Sequence, residues 1–277
     1  MGPYKLCAFA DEASPQLSDQ IRALCENDLE GLEIRTISDK NIVDMRVEEL
    51  RVIHRQLQDA GLYIWSIGSP IGKIDITADF PTHLDQFKHI LELAVSVQAC
   101  CIPLFSFYLP KGQAPAQYKD IVFERLQTFC DAAKGYPVKL CHENEKGIFG
   151  DTADRCLQIH QALPALRLVF DPANFVQCGQ DTIQAYTMLA PFVEYMHIKD
   201  ALSDGTVVPA GQGAGNIPYL LDHYKQGVLT LEPHLNHFTG LQQLERPDLH
   251  SKLKNCYASS REAFDAAVAA LKLLIGR

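Results

Sequence analysis

The sequence contains no CxxC pair, no block of consecutive lysines and arginines, no GxGxxG turn, and no apolar run near the roughly 20 residues a bilayer core demands. Each absence removes a class. The nine cysteines are odd in number and scattered, so they build neither a disulfide framework nor a thiolate zinc site. A formal net charge of -9 speaks against tight nucleic-acid binding, because nothing here would neutralise a run of phosphates. The opening ten residues lack a basic segment followed by a long apolar core, so the expectation is a soluble, cytoplasmic protein with no membrane partner.

What the sequence does have is regular alternation. Eight short apolar runs, at Lys5–Ala10, Leu32–Arg35, Leu62–Ser66, Cys101–Phe105, Val138–Glu143, Leu166–Asp171, Val193–Lys199 and Val228–Glu232, read as buried parallel strands. Amphipathic segments lie between them: Pro15–Asn27, Val47–Ala60, Pro81–Val97, Ala116–Lys134, Ala153–Leu163, Thr182–Leu189 and Ile217–Tyr224, with Glu262–Leu274 last. Leu17, Ile21 and Leu24 repeat at helical spacing, as do Phe87, Ile90, Leu91 and Ala94. Ser14 before Pro15, Asp79 and Thr82 around Pro81, and Asp151 or Thr152 before Ala153 are helix-start signals.

Eight βα units in 277 residues predict an α/β fold, a single (β/α)8 TIM barrel domain spanning 1–277. A doubly wound open sheet would use fewer strands and a glycine-rich first turn, whereas the first strand here runs into Phe9-Ala10-Asp11-Glu12-Ala13. The stretch 233–260, rich in polar and turn residues, is expected as a long loop after the eighth strand on the catalytic face.

Strands five to eight each finish in a metal-binding residue type: Glu143, Asp171, His197 and Glu232. In a parallel barrel all C-terminal strand ends open on one mouth, so residues distant in sequence converge. The pleat agrees, since it turns Cys141, Glu143, Val169, Asp171, Thr230 and Glu232 inward and Leu140, Phe170, Leu229 and Leu231 toward the helices. Singly, an acidic residue after a strand is more often a helix cap and a histidine more often a structural hydrogen-bonder. Together, three carboxylates would repel one another, and a divalent ion removes that cost.

These residues carry a family resemblance. Glu143-Asn144, Asp171 with Asn174, His197-Ile198-Lys199-Asp200, Gly211-Gln212-Gly213 and Leu231-Glu232 resemble the xylose-isomerase-like barrel superfamily, in particular its sugar (phosphate) isomerase/epimerase group, which includes ketose 3-epimerases, hydroxypyruvate isomerase and inosose dehydratase. The resemblance implies one divalent ion, usually Mn²⁺, Mg²⁺ or Co²⁺, held by Glu143, Asp171, His197 and Glu232, with Glu143 and Glu232 doubling as acid and base. An oxygen-rich donor set suits Mn²⁺ and Mg²⁺ and also accepts Co²⁺ or Zn²⁺.

The chemistry agrees with the residue types. An ion chelating a carbonyl and its neighbouring hydroxyl stabilises the enediolate formed on proton loss, and two glutamates can take and return the proton. The expected function is a metal-dependent isomerase or epimerase of a small sugar or sugar phosphate; a homo-oligomer is compatible with it. The alternatives are an inosose-type dehydratase, an apurinic endonuclease-like hydrolase and a non-catalytic sugar-binding barrel.

Candidate substrate contacts are Glu145, Asn174, Lys199, Trp65 and His234, with Phe105 as an apolar wall. Each has a plainer reading: a solvated loop for Glu145, a salt bridge with Asp200 or another carboxylate for Lys199, core packing for Trp65. At position 174 some epimerases of this group carry a substrate-binding histidine where this chain has asparagine. His237 lines the pocket, covers it or does neither, and Glu33 and Arg35 are expected to pair with each other. The run Gly211-Gln212-Gly213-Ala214-Gly215 before a helix offers loop geometry first and a phosphate cradle second.

Overall fold

A computed structural model describes residues 3–238, 241, 249, 251–254 and 256–277. All eight expected strands form: β1 Tyr4–Ala8, β2 Gly31–Ile34, β3 Tyr63–Ile67, β4 Cys101–Leu104, β5 Lys139–Glu143, β6 Arg167–Phe170, β7 Val193–Ile198 and β8 Gly227–Leu231. Each pairs in parallel with its sequence neighbours, and β1 pairs with β8 from Tyr4↔Gly227 to Ala8↔Leu231, which closes the barrel.

The helices are α1 Leu17–Glu26, α2 Val47–Asp59, α3 Phe80–Ser96, α4 Lys119–Ala132, α5 Ala153–Ala162, α6 Pro172–Gln177, α7 Thr182–Leu189, α8 Ile217–Tyr224 and α9 Ser260–Leu274. Asp79 caps α3 by accepting from the Thr82 N–H at 3.2 Å, and Thr152 caps α5 by accepting from Arg155 N–H at 3.4 Å. Ser14 does not cap α1: its Oγ accepts the Gln16 N–H and the helix opens two residues later than the Ser-Pro signal implies. The short helix α6 was not legible as a separate element, because Pro172 and only six residues give no period to read.

Alternation along the strands sorts the core into two shells. Cys7, Cys101, Cys141, Val169, Tyr195 and Val228 fill the barrel lumen, while Leu6, Leu140, Phe170, Leu229 and Leu231 face outward and pack with helix residues such as Leu24, Leu50, Phe87 and Leu271. Two bulges modify the pattern. Leu32 pairs with Ile64 and Glu33 with Ser66, so Trp65 is an extra residue in β3, and Glu194 is likewise extra in β7 between Val193 and Tyr195.

Small ribbons decorate the mouth. Asp200–Ala201 pairs antiparallel with Thr206–Val208, and the latter pairs in parallel with Lys252–Leu253. That short strand falls within the expected 233–260 loop, much of which, from 239 to 250 apart from 241 and 249, lies outside the described residues together with 255. Among the described residues no helix is long and apolar enough to cross a membrane.

Candidate metal centre at the barrel mouth

The strand-end residues converge. Glu143 closes β5, His197 is the fifth residue of β7, and Asp171 and Glu232 directly follow β6 and β8. Each offers one donor atom, and the four atoms lie within 4.8 Å of one another, all buried. His197 Nδ1 is 3.0 Å from Glu143 Oε1 and 3.7 Å from Glu232 Oε2. Lys199 Nζ lies 2.8 Å from both Asp171 Oδ2 and Glu232 Oε2, so its partners are these carboxylates and not its neighbour Asp200.

Asp171 meets the plainer expectation of a helix cap and also stands in the cluster. Its Oδ1 caps α6 by accepting the Asn174 N–H at 2.9 Å, while Oδ2 lies 2.8 Å from Lys199 Nζ. The Asn144 amide exchanges two hydrogen bonds with the Asp171 backbone, at 2.8 and 3.0 Å, and Asn174 Nδ2 donates to the Asn144 carbonyl at 3.0 Å. The Asn174 side chain, expected as a substrate contact, is thus spent on lacing the ends of β5 and β6 together.

Charge decides what this mouth can hold. Among the described residues, the buried carboxylates of Asp11, Glu12, Glu33, Glu143, Glu145, Asp171 and Glu232 outnumber the cations that pair with them there, Arg35, Lys73 and Lys199. Burial, the largest influence, lifts the pKa of Glu143 and of Asp171 above the usual carboxylate range against the pull of His197 and Lys199 respectively. For Glu232 burial works in the same direction, but Lys199, His234 and His197 outweigh it and hold the carboxyl well below its ordinary value. Burial alone would depress His197; Glu143 and Glu33 on either side of the ring raise it well above an ordinary imidazole.

A divalent cation fits this donor set. Three carboxylates and one imidazole are a complete set for a hard or borderline ion. All four residues are buried, and the Lys199 ammonium, 2.8 Å from Asp171 Oδ2 and from Glu232 Oε2, offsets only part of their negative charge.

A second cluster, Glu12, Glu232 and His234, also brings donor atoms together. Arg35 already serves it. The guanidinium reaches Glu232 Oε1 at 3.1 Å, Glu12 Oε1 at 3.3 Å and Asp11 through two bonds of 2.9 and 3.1 Å, with its plane over Phe9, 4.2 Å from the ring centre. The expected Glu33–Arg35 pair does not form, because Arg35 turns to these three carboxylates and Glu33 to His197, whose Nε2 is 3.2 Å away. Asp11 and Glu12 were missed as site residues, although they follow β1 at the same end where strands five to eight place theirs.

A narrow cleft opens beside the cluster, lined by Phe9, Arg35, Lys73, Phe105, Glu143 and Glu232 among others. Phe105 lines this cleft, with Lys73 Nζ 4.2 Å over its ring. Glu145 is a buried residue at the rim, paired with Lys73 at 3.0 Å, and not part of a solvated loop. His234 sits behind Glu232, its Nε2 3.4 Å from Glu232 Oε1 and 3.5 Å from Glu12 Oε1, while His237 is exposed.

Trp65, expected as a substrate contact, is not among the residues lining this cleft. As the extra residue of its bulge it packs edge-on against Tyr195 in the lumen and borders Pro3, Lys5, Gly227 and Val228, at the end of the barrel opposite the mouth. The phosphate-cradle reading fails as well. The amides of Gly211, Gly213 and Gly215 all donate to the Asp200 carboxylate, at 2.9, 3.0 and 2.8 Å, and a Cβ at 213 or 215 would fall 2.3 or 2.5 Å from its Oδ1. The glycines bind an anion, but it is the chain's own.

The family signature described as xylose isomerase-like TIM barrel matches residues 21–256. The chain belongs to this family. A sequence relative, the 3-dehydroshikimate dehydratase of Bacillus anthracis, is 20% identical over 227 residues, covering 78% of this chain and 81% of its own. An L-ribulose 3-epimerase structure superposes with a TM-score of 0.75 at 16% identity over 100% of this chain and 95% of that one. The IOLI protein, solved with a bound zinc atom, gives 0.74 at 16% identity over 98% of each chain. At such identities the likeness to the two solved structures speaks for the xylose isomerase-like fold alone.

Proposed function

We propose that this xylose isomerase-like protein, acting as a single barrel domain, is a divalent-metal-dependent isomerase or epimerase of a small sugar. The observation that carries this reading is that Glu143 and Glu232 belong to the buried four-donor cluster and also line a cleft beside it. A divalent ion, Mn²⁺ or Mg²⁺ by its donor set, would be held by Glu143, Asp171, His197 and Glu232 and would supply Lewis acidity toward a carbonyl and the adjacent hydroxyl.

The chain's own residues do the rest. Glu232 is held through its two oxygens by Arg35 and Lys199, while Glu143 is held by His197, so the two carboxyl groups are fixed relative to each other for taking a proton beside the carbonyl and returning one. Return to the opposite face of the same carbon gives epimerisation, and delivery to its neighbour gives aldose–ketose isomerisation. Phe9 and Phe105 shield the cleft from bulk water. Glu145 and Lys73 stand at the rim where distal hydroxyl groups would lie.

A second reading, loss of water after the same proton abstraction, is favoured by the likeness to the dehydratase from Bacillus anthracis. Incubation of Mn²⁺-loaded protein with ketoses in D₂O separates the two by product mass and detects exchange beside the carbonyl by NMR. Glu232→Gln is expected to retain most metal affinity and lose on the order of 10²–10⁴ in turnover. Turnover near the wild-type rate in that variant removes the two-glutamate mechanism.

A further inference from the structure

Beneath His197 lies an arrangement that the proton-transfer chemistry does not use. Glu33 closes on the ring from the side opposite Glu143, with Oε2 3.2 Å from Nε2. Its other oxygen, Oε1, accepts the Tyr195 hydroxyl at 2.9 Å and the Ser66 hydroxyl at 3.2 Å. All four residues are at most 1% exposed. Ser66 reaches Glu33 because the extra residue Trp65 shifts the β3 register, so that Ser66 instead of Trp65 stands opposite Glu33.

This geometry constrains the imidazole. A carboxylate offers acceptors only, and with Oε1 occupied by two hydroxyl donors, Oε2 is the atom left for the ring. A proton therefore belongs on Nε2, and Nδ1 is the nitrogen beside Glu143 and Glu232, at 3.0 and 3.7 Å. Phe9 and Tyr195 pack edge-on to the ring, with centroids 5.3 and 5.4 Å away. A carboxylate in a fully buried place is expensive, and a neutral side chain would pack there at less cost unless the charge acts on what it touches.

We infer that Glu33, locked by Tyr195 and Ser66, is a positioning residue that fixes His197 with Nδ1 toward the metal centre and increases the donor strength of that nitrogen. The inference rests on the metal-dependent reading above. A ligand imidazole that donates its second N–H to a carboxylate is a better and better-aimed ligand, and losing such a partner costs about 10- to 100-fold in metal affinity.

The test uses the full chain. Mn²⁺ titrations, followed by the EPR signal of the free ion, compare wild type with Glu33→Gln, Glu33→Ala and Tyr195→Phe, and melting in EDTA reports whether each variant is folded. Glu33→Gln keeps the shape and is expected to raise the Mn²⁺ Kd about 10- to 100-fold, with a smaller rise for Tyr195→Phe. In Zn²⁺-loaded protein carrying ¹⁵N-histidine, wild type is expected to show His197 protonated at Nε2 and ligated at Nδ1, and Glu33→Ala to lose that single state. Unchanged Kd values in both Glu33 variants, or losses that track reduced melting in EDTA, overturn the inference and leave the functional reading standing. Failure of the wild type itself to bind Mn²⁺ overturns that reading, and the role of Glu33 falls with it.

Discussion

Replacing Asp200 with alanine tests how the mouth is held together. The carboxylate accepts four backbone N–H groups, from Ala201 at 2.9 Å, Gly211 at 2.9 Å, Gly213 at 3.0 Å and Gly215 at 2.8 Å. Of these, the Ala201 and Gly215 bonds are buried and the other two partly so. Water can replace the acceptor for the partly buried pair, while each buried amide left unsatisfied costs about 1–3 kcal/mol, giving a loss of about 4 kcal/mol. For a chain of this length that corresponds to a fall in Tm of about 8 °C. Asp200→Asn should lose about half as much: it keeps one acceptor oxygen and no longer buries a charge, and burial is the main influence raising the Asp200 pKa. Differential scanning calorimetry of both variants in EDTA reads the effect without involving the metal. A Tm within about 2 °C of wild type for Asp200→Ala would falsify the view that this carboxylate organises the glycine loop.

Lys199→Met leaves Asp171 and Glu232 without their shared ammonium, so the EDTA-treated protein should lose about 3–5 kcal/mol in urea unfolding, and added Mn²⁺ should restore more stability than it adds to wild type. His142 is buried with Nε2 3.0 Å from the Ser106 hydroxyl, and burial pushes its pKa down to about 3. Its unfolded form takes a proton near pH 6.5 and its folded form does not until about 3, so its contribution is intact above 6.5 and lost as pH falls through that window. His142→Gln should therefore weaken the loss of stability between pH 7 and 4.5 by about 2.5 kcal/mol, measured by urea titration at both values; an unchanged slope refutes the assignment.

The barrel was legible because its signal is repeated: eight apolar runs separated by amphipathic segments survive an error of a residue or two at any boundary. The four-donor cluster was legible for a related reason, since parallel strands translate matching ends into one place. What escaped was set by features that leave no period. The bulge at Trp65 is one residue long, yet it removed an aromatic from the expected substrate wall and delivered Ser66 to Glu33. Arg35 and Glu33 share a strand face, but whether they pair with each other depends on Asp11, Glu12 and His197, which arrive from other strands. The glycine loop looked like a receptor for a foreign anion because nothing in its spacing reveals that Asp200 folds back into it.

Arg35 differs from a bound ion in one practical respect: it is tethered by covalent bonds and cannot be chelated. Together with Lys199 it keeps both oxygens of Glu232 engaged whatever occupies the neighbouring donors. On the metal-dependent reading, EDTA would remove only the exchangeable positive centre and leave the tethered ones, so the depleted protein is expected to keep a pre-arranged receptacle and to take an ion back without first having to refold.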